Sequence, residues 1–319
     1  MSFEEQRIVE SVIGPEAGGL RLDQFLRTRF TYRSRNEWQE AIRRGELKIN
    51  GREIRASKIL RTGDKLSFNP GKIEEPEVNV DWSLIHESER YLAINKPGQL
   101  PAHPSGRFFK HTLWYLLREK YGELHIVNRL DRETSGITIA AKDADAAKIL
   151  SGLFADRRTV KKYLAFVFGK FPETLVADGF LSDDRKSGVR KKRRFSGKES
   201  YGSEHVRTEF RLLGTDGELS AVEAIPKTGR LHQIRATLCS LGYPMAGDKL
   251  YGPDDTIYLR YIESKMTETD TARLLIGRQA LHASELSFAC PFAKSEIIFK
   301  APLPNDLSGL YCRCVGVII

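Results

Sequence analysis

From Asn128 to Lys142 the chain reads NRLDRETSGITIAAK, in which one carboxylate, Asp131, sits in a polar turn that leads directly into an apolar run. Thr134, Ser135 and Gly136 can satisfy backbone groups locally, and the apolar run behind them has to enter a core, so a reacting group can be held at this point. The flanking segments tell what kind of core it is. SLIHES and RYLAINKPG read as paired strands, and Pro97, Gly98, Pro101 and Pro104 force an irregular loop before a helix over HTLWYLLREKY. Beyond the central stretch, DADAAKILSGLF is a helix that Asp143 can cap, and TVKKYLAFVFG is a strand rich in β-branched and aromatic residues. VRTEFRLLG and ELSAVEAIP continue as strands, and strands over about 280–288 and 296–300 close the pattern. Between them a helix is predicted after Thr228-Gly229, with Leu231, Ile234, Arg235 and Leu238 on one face. Neighbouring strands with scattered helices argue for α+β with a mixed, largely antiparallel sheet, not for a doubly wound α/β fold. Leu181 to Gly202, charged and poor in large aliphatics, reads as an exposed basic loop.

A smaller pattern precedes this one. LDQFLRTRF has Leu22, Phe25, Leu26 and Arg29 at helical spacing, and a second helix opens at Ser34, with Glu37 three residues on as a reciprocal capping box. Its apolar face is Trp38, Ala41 and Ile42, and Gly45 stops it. LKINGREI then reads as two short strands joined by Asn50-Gly51, and Lys65 to Phe68 as a third. Residues 1–17 carry no clear pattern and are left as a lead-in, and NPGKIEEPEVN is taken as a linker. The expected division is therefore 19–68 for the module, 69–79 for the linker and 80–319 for the larger domain.

Charge points to a polyanion. The formal net charge is +9, and between Arg21 and Lys65 there are 13 Lys and Arg against 6 Asp and Glu. A second cluster, Arg185 to Lys198, holds eight basic residues and no acid. Four cysteines in 319 residues make neither a disulfide framework nor CxxC pairs, and the seven histidines show no HxxxH spacing, so no metal is expected. His103, His111 and His282 read as loop or strand hydrogen bonders. No apolar run approaches the roughly 18 residues of a membrane span, and the acidic start MSFEEQ is unlike a signal peptide, which predicts a cytoplasmic protein with no membrane partner.

Four blocks occur in a fixed order: NRLD, KKYLAFV, KTGRLHQIR and ALHASELSF. As an ordered set they resemble the RluA family of pseudouridine synthases, and residues 19–68 resemble the alpha-L RNA-binding module of small-subunit ribosomal protein four. The resemblance implies an isomerase that breaks the N-glycosidic bond of a uridine within RNA and rejoins the base to C1′ through carbon, with no cofactor. Breaking that bond makes C1′ electron-deficient while uracil leaves as an anion, so a carboxylate beside the sugar can stabilise the cation, attack it or remove a sugar proton. Water has to be excluded, because a hydrolase would release the base instead of letting it turn.

Carried over by position, Asp131 matches the family's catalytic aspartate, Arg235 its motif arginine and Tyr163 its active-site tyrosine. Asp131 and Arg235 are expected to form a buried pair, and Tyr163 to stack on uracil and serve, through its hydroxyl, in proton removal from C5. Leu231 and Ile234 are expected in the pocket wall, and Arg129, Arg132, Arg230, His232 and Gln233 as contacts to the RNA. In the module, Arg33, Arg35, Arg43, Arg44 and Lys48 could hold phosphates, which position without reading sequence. One departure is that Asn128 stands where the family has His, which puts any titrating role there in doubt. Large-subunit ribosomal RNA is the foremost expected partner and transfer RNA the alternative, with the protein acting as a monomer. The rival from another class is an RNA-binding or ribosome-assembly protein that keeps the fold without activity.

Overall fold

The computed structural model describes residues 8–30, 34–69, 75–189, 191–293 and 295–316. The chain divides into two compact units, one running to Glu77 and taking in Pro104–His111, the other made of Val78–His103 and everything from Thr112 on.

In the first unit β1 (Val9–Val12) is followed by a single 3-10 turn at Pro15–Ala17, the helices α1 (Leu22–Arg29) and α2 (Arg35–Arg43), and the strands β2 (Leu47–Ile49), β3 (Arg52–Glu53) and β4 (Lys65–Phe68). The strands form an antiparallel sheet in the order β1-β4-β2-β3. The capping box at Ser34 is made in both directions, with the Ser34 hydroxyl accepting from the Glu37 N–H and the Glu37 carboxylate accepting from the Ser34 N–H at 2.6 Å. Asn50 and Gly51 take φ of 51° and 76°, as a two-residue hairpin turn requires. Trp38, Leu26, Leu47 and Leu66 fill the core. Of the residues expected to be a lead-in, those described, 8–17, belong to this unit, since β1 pairs with β4 and Ile13 and Ala17 are buried. Their partner lies far along the chain, so no local pattern marks them. Glu75, inside the expected linker, accepts from the backbone N–H groups of Phe109, Lys110 and His111 at 2.7, 2.8 and 2.9 Å.

The second unit runs β5 (Ser83–Glu87), β6 (Tyr91–Lys96), α3 (Leu113–Tyr121), β7 (His125–Ile126), β8 (Ser135–Ala141), α4 (Ala144–Ala155), β9 (Thr159–Phe168), β10 (Thr174–Asp183), β11 (Arg193–Ser196), β12 (Glu204–Thr215), β13 (Leu219–Pro226), α5 (Gln233–Ser240), α6 (Thr256–Ile262), α7 (Glu268–Leu274), β14 (Leu281–Ala289), β15 (Glu296–Lys300) and α8 (Asn305–Val315). Among the described residues its eleven strands make one sheet in the order β11-β10-β12-β13-β9-β14-β8-β6-β5, with β15 on β14 and β7 on β8. Every pairing described is antiparallel except that of β14 with β8, so the unit is α+β with a mixed, largely antiparallel sheet.

β8 is buried along its whole length, which is why its sequence lacks polar alternation. Ile137, Ile139 and Ala141 pack with Ala146, Leu150 and Leu153 of α4, while Ala140 packs with Leu113 and Leu117 of α3. The strand can run beside β14 only because residue 136 is glycine. Its φ is 111°, and a Cβ there would lie 2.2 Å from the Ala283 carbonyl oxygen. Gly136→Ala is therefore expected to cost about 3 kcal/mol or more through backbone strain and overpacking, read as a lower urea midpoint. A midpoint equal to that of the parent would show that the two strands have room to part.

Two expectations are corrected here, the first in part. Leu181 to Gly202 is only partly an exposed loop: Arg185, Lys186, Lys191, Arg194 and Lys198 are exposed as expected, but the stretch also holds the end of β10 and the paired strand β11, and two of its cations are used internally, Arg193 on Asp183 (3.2 Å) and Glu204 (2.9 Å), and Lys192 on Asp255 (2.7 Å). The helix expected after Gly229 starts only at Gln233, because His232 takes a left-handed φ of 57°. Leu231 thus lies outside the helix and is 56% exposed. Cys312 to Val315 form the end of α8, whose Leu307 and Cys314 pack into the core formed by β9 and β13.

Candidate active site

Asp131 sits in the turn between β7 and β8, where its carbonyl accepts from the Thr134 N–H at 3.2 Å. Its carboxylate is held from one side only. Oδ2 accepts from Arg235 Nη1 at 2.7 Å, with Gln279 Nε2 at 3.5 Å, while Oδ1 has no partner among the described residues. The side chain is 29% exposed, so the expected pair is open at one end instead of fully enclosed. Arg235 lies on the buried face of α5 and turns the rest of its fork to a second carboxylate. Asp248 accepts from Nε at 2.6 Å and from Nη2 at 2.9 Å, the bidentate geometry a guanidinium favours. Asp248 is wholly buried and also accepts the N–H groups of Leu250 and Tyr251, each at 2.9 Å. The Tyr251 ring lies 4.9 Å from the guanidinium carbon. Two carboxylates thus share one arginine, and the stronger geometry belongs to the one that the sequence did not reveal.

Burial is the largest influence on the Asp131 carboxyl and pushes it up. The Arg235 charge and the hydrogen bonds from Arg235 and Gln279 outweigh it and hold the group below the ordinary carboxylate range. The Tyr163 phenol, on β9, is pushed up to about 12 by burial and then by the charge on Asp131, so it is un-ionised at neutral pH. Among the described residues its hydroxyl has no hydrogen-bond partner.

The turn that carries Asp131 is fixed from behind. Glu133 receives Lys249 Nζ at 3.0 Å, so Asp131 and Glu133 are tied through charge to the consecutive residues Asp248 and Lys249. Lys96, wholly buried at the end of β6, donates to the carbonyls of Pro97 (2.8 Å), Leu100 (2.9 Å) and Arg132 (3.2 Å). Burial pulls its amine down to about 7, yet three carbonyls each take an N–H, and only the ammonium supplies three. Asn128 spends its amide on β8, donating to the Ile137 carbonyl (3.1 Å) and accepting from the Ile139 N–H (2.7 Å). The position where the family has His therefore works here as a backbone clamp.

A cavity of about 120 Å³ opens over Asp131, lined by Arg129, Leu130, Thr134, Lys161, Tyr163, Thr228, Arg230, His232, Gln233, Ile234, Arg235 and Leu281 among others. It is of the order of the ~150 Å³ that holds a benzene ring in an engineered core. The expected residues divide. Arg129 and Arg230 are exposed around it, and Ile234 forms wall. Gln233 is buried and occupied, accepting from the Thr228 hydroxyl at 2.7 Å and donating to Thr208 at 2.9 Å. Arg132 is turned away to Glu133 (3.2 Å) and the Tyr261 hydroxyl (2.6 Å), and neither Arg132 nor Leu231 lines the cavity. Lys161, Asp248 and Tyr251 are site residues that sequence reasoning misses. Only Lys161 has a signal, its place in KKYLAFV.

In the first unit Arg33 lies outside the described residues. Arg35 is committed to the buried Asp23 at 2.7 Å, and Arg44 to Glu46 at 2.6 Å. Arg43 and Lys48 are exposed, with no ion pair among the described residues.

The family profile described as RNA pseudouridylate synthase matches residues 90–240, and that of the S4 domain matches residues 20–66. An uncharacterized RNA pseudouridine synthase of Chloroflexus aurantiacus is 33% identical over 314 residues, covering 95% of this chain and 92% of that protein. The chain belongs to the RluA family of RNA pseudouridine synthases. RluA-family enzymes are isomerases, and the N-terminal unit is an RNA-binding S4 domain. Other relatives include the ribosomal large subunit pseudouridine synthase C of Vibrio cholerae, 28% identical over 312 residues with 92% of this chain and 93% of that one covered. A mitochondrial tRNA pseudouridine(32) synthase of Saccharomyces cerevisiae is 31% identical over 229 residues, 71% of this chain and 49% of its own. Among solved structures, human RNA Pseudouridylate Synthase Domain Containing 4 matches with a TM-score of 0.57 at 27% identity, over 72% of this chain and 92% of that one. No helix among the described residues is long and apolar enough to cross a membrane.

Proposed function

We propose that this RluA-family protein isomerises uridines in large-subunit ribosomal RNA, with Asp131 acting on the ribose through its open oxygen. The observation that carries the reading is the one-sided clamp: Oδ2 is fixed by Arg235 while Oδ1 stays unpartnered, among the described residues, at a cavity sized for a single ring. The target base has to leave its helix to reach that cavity, at a cost of a few kcal/mol that is least in loops and bulges. Once it is there, the N1–C1′ bond breaks, uracil leaves as an anion and turns, and C5 joins C1′. The proton lost from C5 is balanced by one gained at N1. Tyr163 supplies a stacking face and, as an un-ionised phenol, a hydrogen-bond donor, which makes it a poor resting base for C5. Among the described residues no second carboxylate lines the cavity to direct a water, in keeping with isomerisation and not release of the base.

The choice of ribosomal RNA rests on the S4 domain and on the Vibrio cholerae relative, and transfer RNA is the second reading because of the yeast relative. Tritium release from C5-labelled transcripts tests both. Release from large-subunit RNA is expected; release from transfer RNA alone would replace the first reading with the second, and release from neither would leave the inactive RNA-binding rival. In the S4 domain the exposed Arg43 and Lys48 are the residues proposed to meet phosphate. Replacing both with Ala should weaken binding to structured RNA and reduce the slope of log affinity against log salt by about 1.5, since each lost phosphate contact releases fewer counterions. An unchanged slope would remove them from the interface.

A further inference from the structure

His232 holds a left-handed φ of 57°, a conformation that a non-glycine residue keeps only when its surroundings fix it. Its ring lines the cavity, and Nδ1 lies 3.0 Å from the Tyr251 hydroxyl. The same hydroxyl receives the backbone N–H of Arg193, in β11, at 2.8 Å. A backbone N–H can only donate, so it takes a lone pair of the phenol oxygen. Tyr251 is buried, and its own hydrogen has no other acceptor among the described residues. That hydrogen must go to Nδ1 of His232, which is then the acceptor. The ring is neutral, its proton is on Nε2, and Nε2 has no protein partner among the described residues.

The charges that face the ring are those of Arg235, Asp131, Asp248 and Lys191. Burial first, and then Arg235, hold the imidazole down to about 4, so these surroundings agree with the neutral form reached from the hydrogen bonds. Neutrality has a use here. An imidazolium beside Asp131 would compete for its open oxygen, whereas a neutral N–H can bind an oxygen of the substrate and leave the carboxylate alone.

We propose that His232 contacts the target nucleotide directly, as a neutral Nε2–H donor to a base carbonyl or phosphate oxygen of that nucleotide, and that Tyr251, held by the Arg193 backbone, is a positioning residue that fixes this tautomer. The inference rests on Asp131 being the reacting carboxylate, but the tautomer is read without turnover, so the two can fail separately.

Two-bond proton–nitrogen correlation spectra of the full chain with labelled histidine, assigned by loss of a signal in His232→Gln, should give the Nε2–H form at pH 7. Tyr251→Phe, which keeps the ring and deletes the donor, should give a mixture of tautomers. In kinetics, His232→Phe should lose about tenfold in kcat/KM, mainly through KM, while His232→Gln, which still places an N–H there, should stay within about threefold of the parent. A phosphorothioate at the target, or 2- or 4-thiouracil, should abolish the difference between the parent and the His232→Phe variant for whichever oxygen is bound. An imidazolium or an Nδ1–H form at pH 7, an unchanged kcat/KM in His232→Phe, or a difference that survives every thio substitution would overturn the proposal.

Discussion

Asp131→Asn is expected to fold, to bind RNA as the parent does, and to lose at least about 10⁴-fold in turnover. The fold should survive because Arg235 keeps its bidentate bond to Asp248, so removing the Asp131 charge leaves a balanced buried pair and not an orphaned cation. The Asn side chain can still accept from Arg235 Nη1 through its oxygen, which turns an amide nitrogen towards the cavity where an anionic oxygen had been. Single-turnover tritium release measures the loss, and RNA affinity on the same preparation controls for binding. Turnover within tenfold of the parent would move the reacting group elsewhere.

Arg235→Ala should have the largest effect on stability. It strands Asp248, which is wholly buried, and leaves Asp131 with Gln279 alone among the described partners, and breaking a buried charge network of this kind costs about 3–5 kcal/mol. The sign of its pH dependence is distinctive. In the parent both carboxyls are held below their ordinary values, so their contribution is present above the unfolded-state pKa and is lost as pH falls through the folded one. Without the arginine, burial is the dominant influence and raises both, so the groups oppose folding at neutral pH and cease to do so once protonated. The gap in melting temperature between variant and parent should therefore narrow as pH is lowered from 7 towards 5, and the acid limb of the single-turnover rate should move to higher pH. Arg235→Lys, a point charge without the planar fork, should fall between them. A gap that stays constant across that range would mean that neither carboxylate depends on Arg235.

What can be read from the sequence is local. Ser34 with Glu37, Asn50 with Gly51 and Asp143 before its helix each announce a structure by chemistry within four residues, and each is found where expected. The meeting of Asp131 with Arg235, more than a hundred residues apart, follows from the order of the family's blocks and not from any pattern in the residues between. Asp248 escapes because GDKLYG has no periodicity and a single Asp among glycines reads as a turn. Leu231 is misplaced because helical spacing continues through it, while the left-handed His232 that starts the helix one residue later leaves no mark in composition. The basic stretch after Leu181 is exposed over much of its length, as expected, and misleads only at Lys192 and Arg193. Their charge reads as solvated, whereas both are neutralised by acids from neighbouring elements.

Lys96 has one more consequence. A lone ammonium that gathers carbonyls from residues 97, 100 and 132 does the work of a structural metal ion, but it arrives tethered to β6 instead of from solution. Chelators cannot strip it, and no reagent can reach it short of unfolding. Nor does the turn at Asp131 carry its own support: a peptide spanning residues 128–142 lacks the β6 residue that gathers its carbonyl, a residue that reaches the turn through the pairing of β6 with β8.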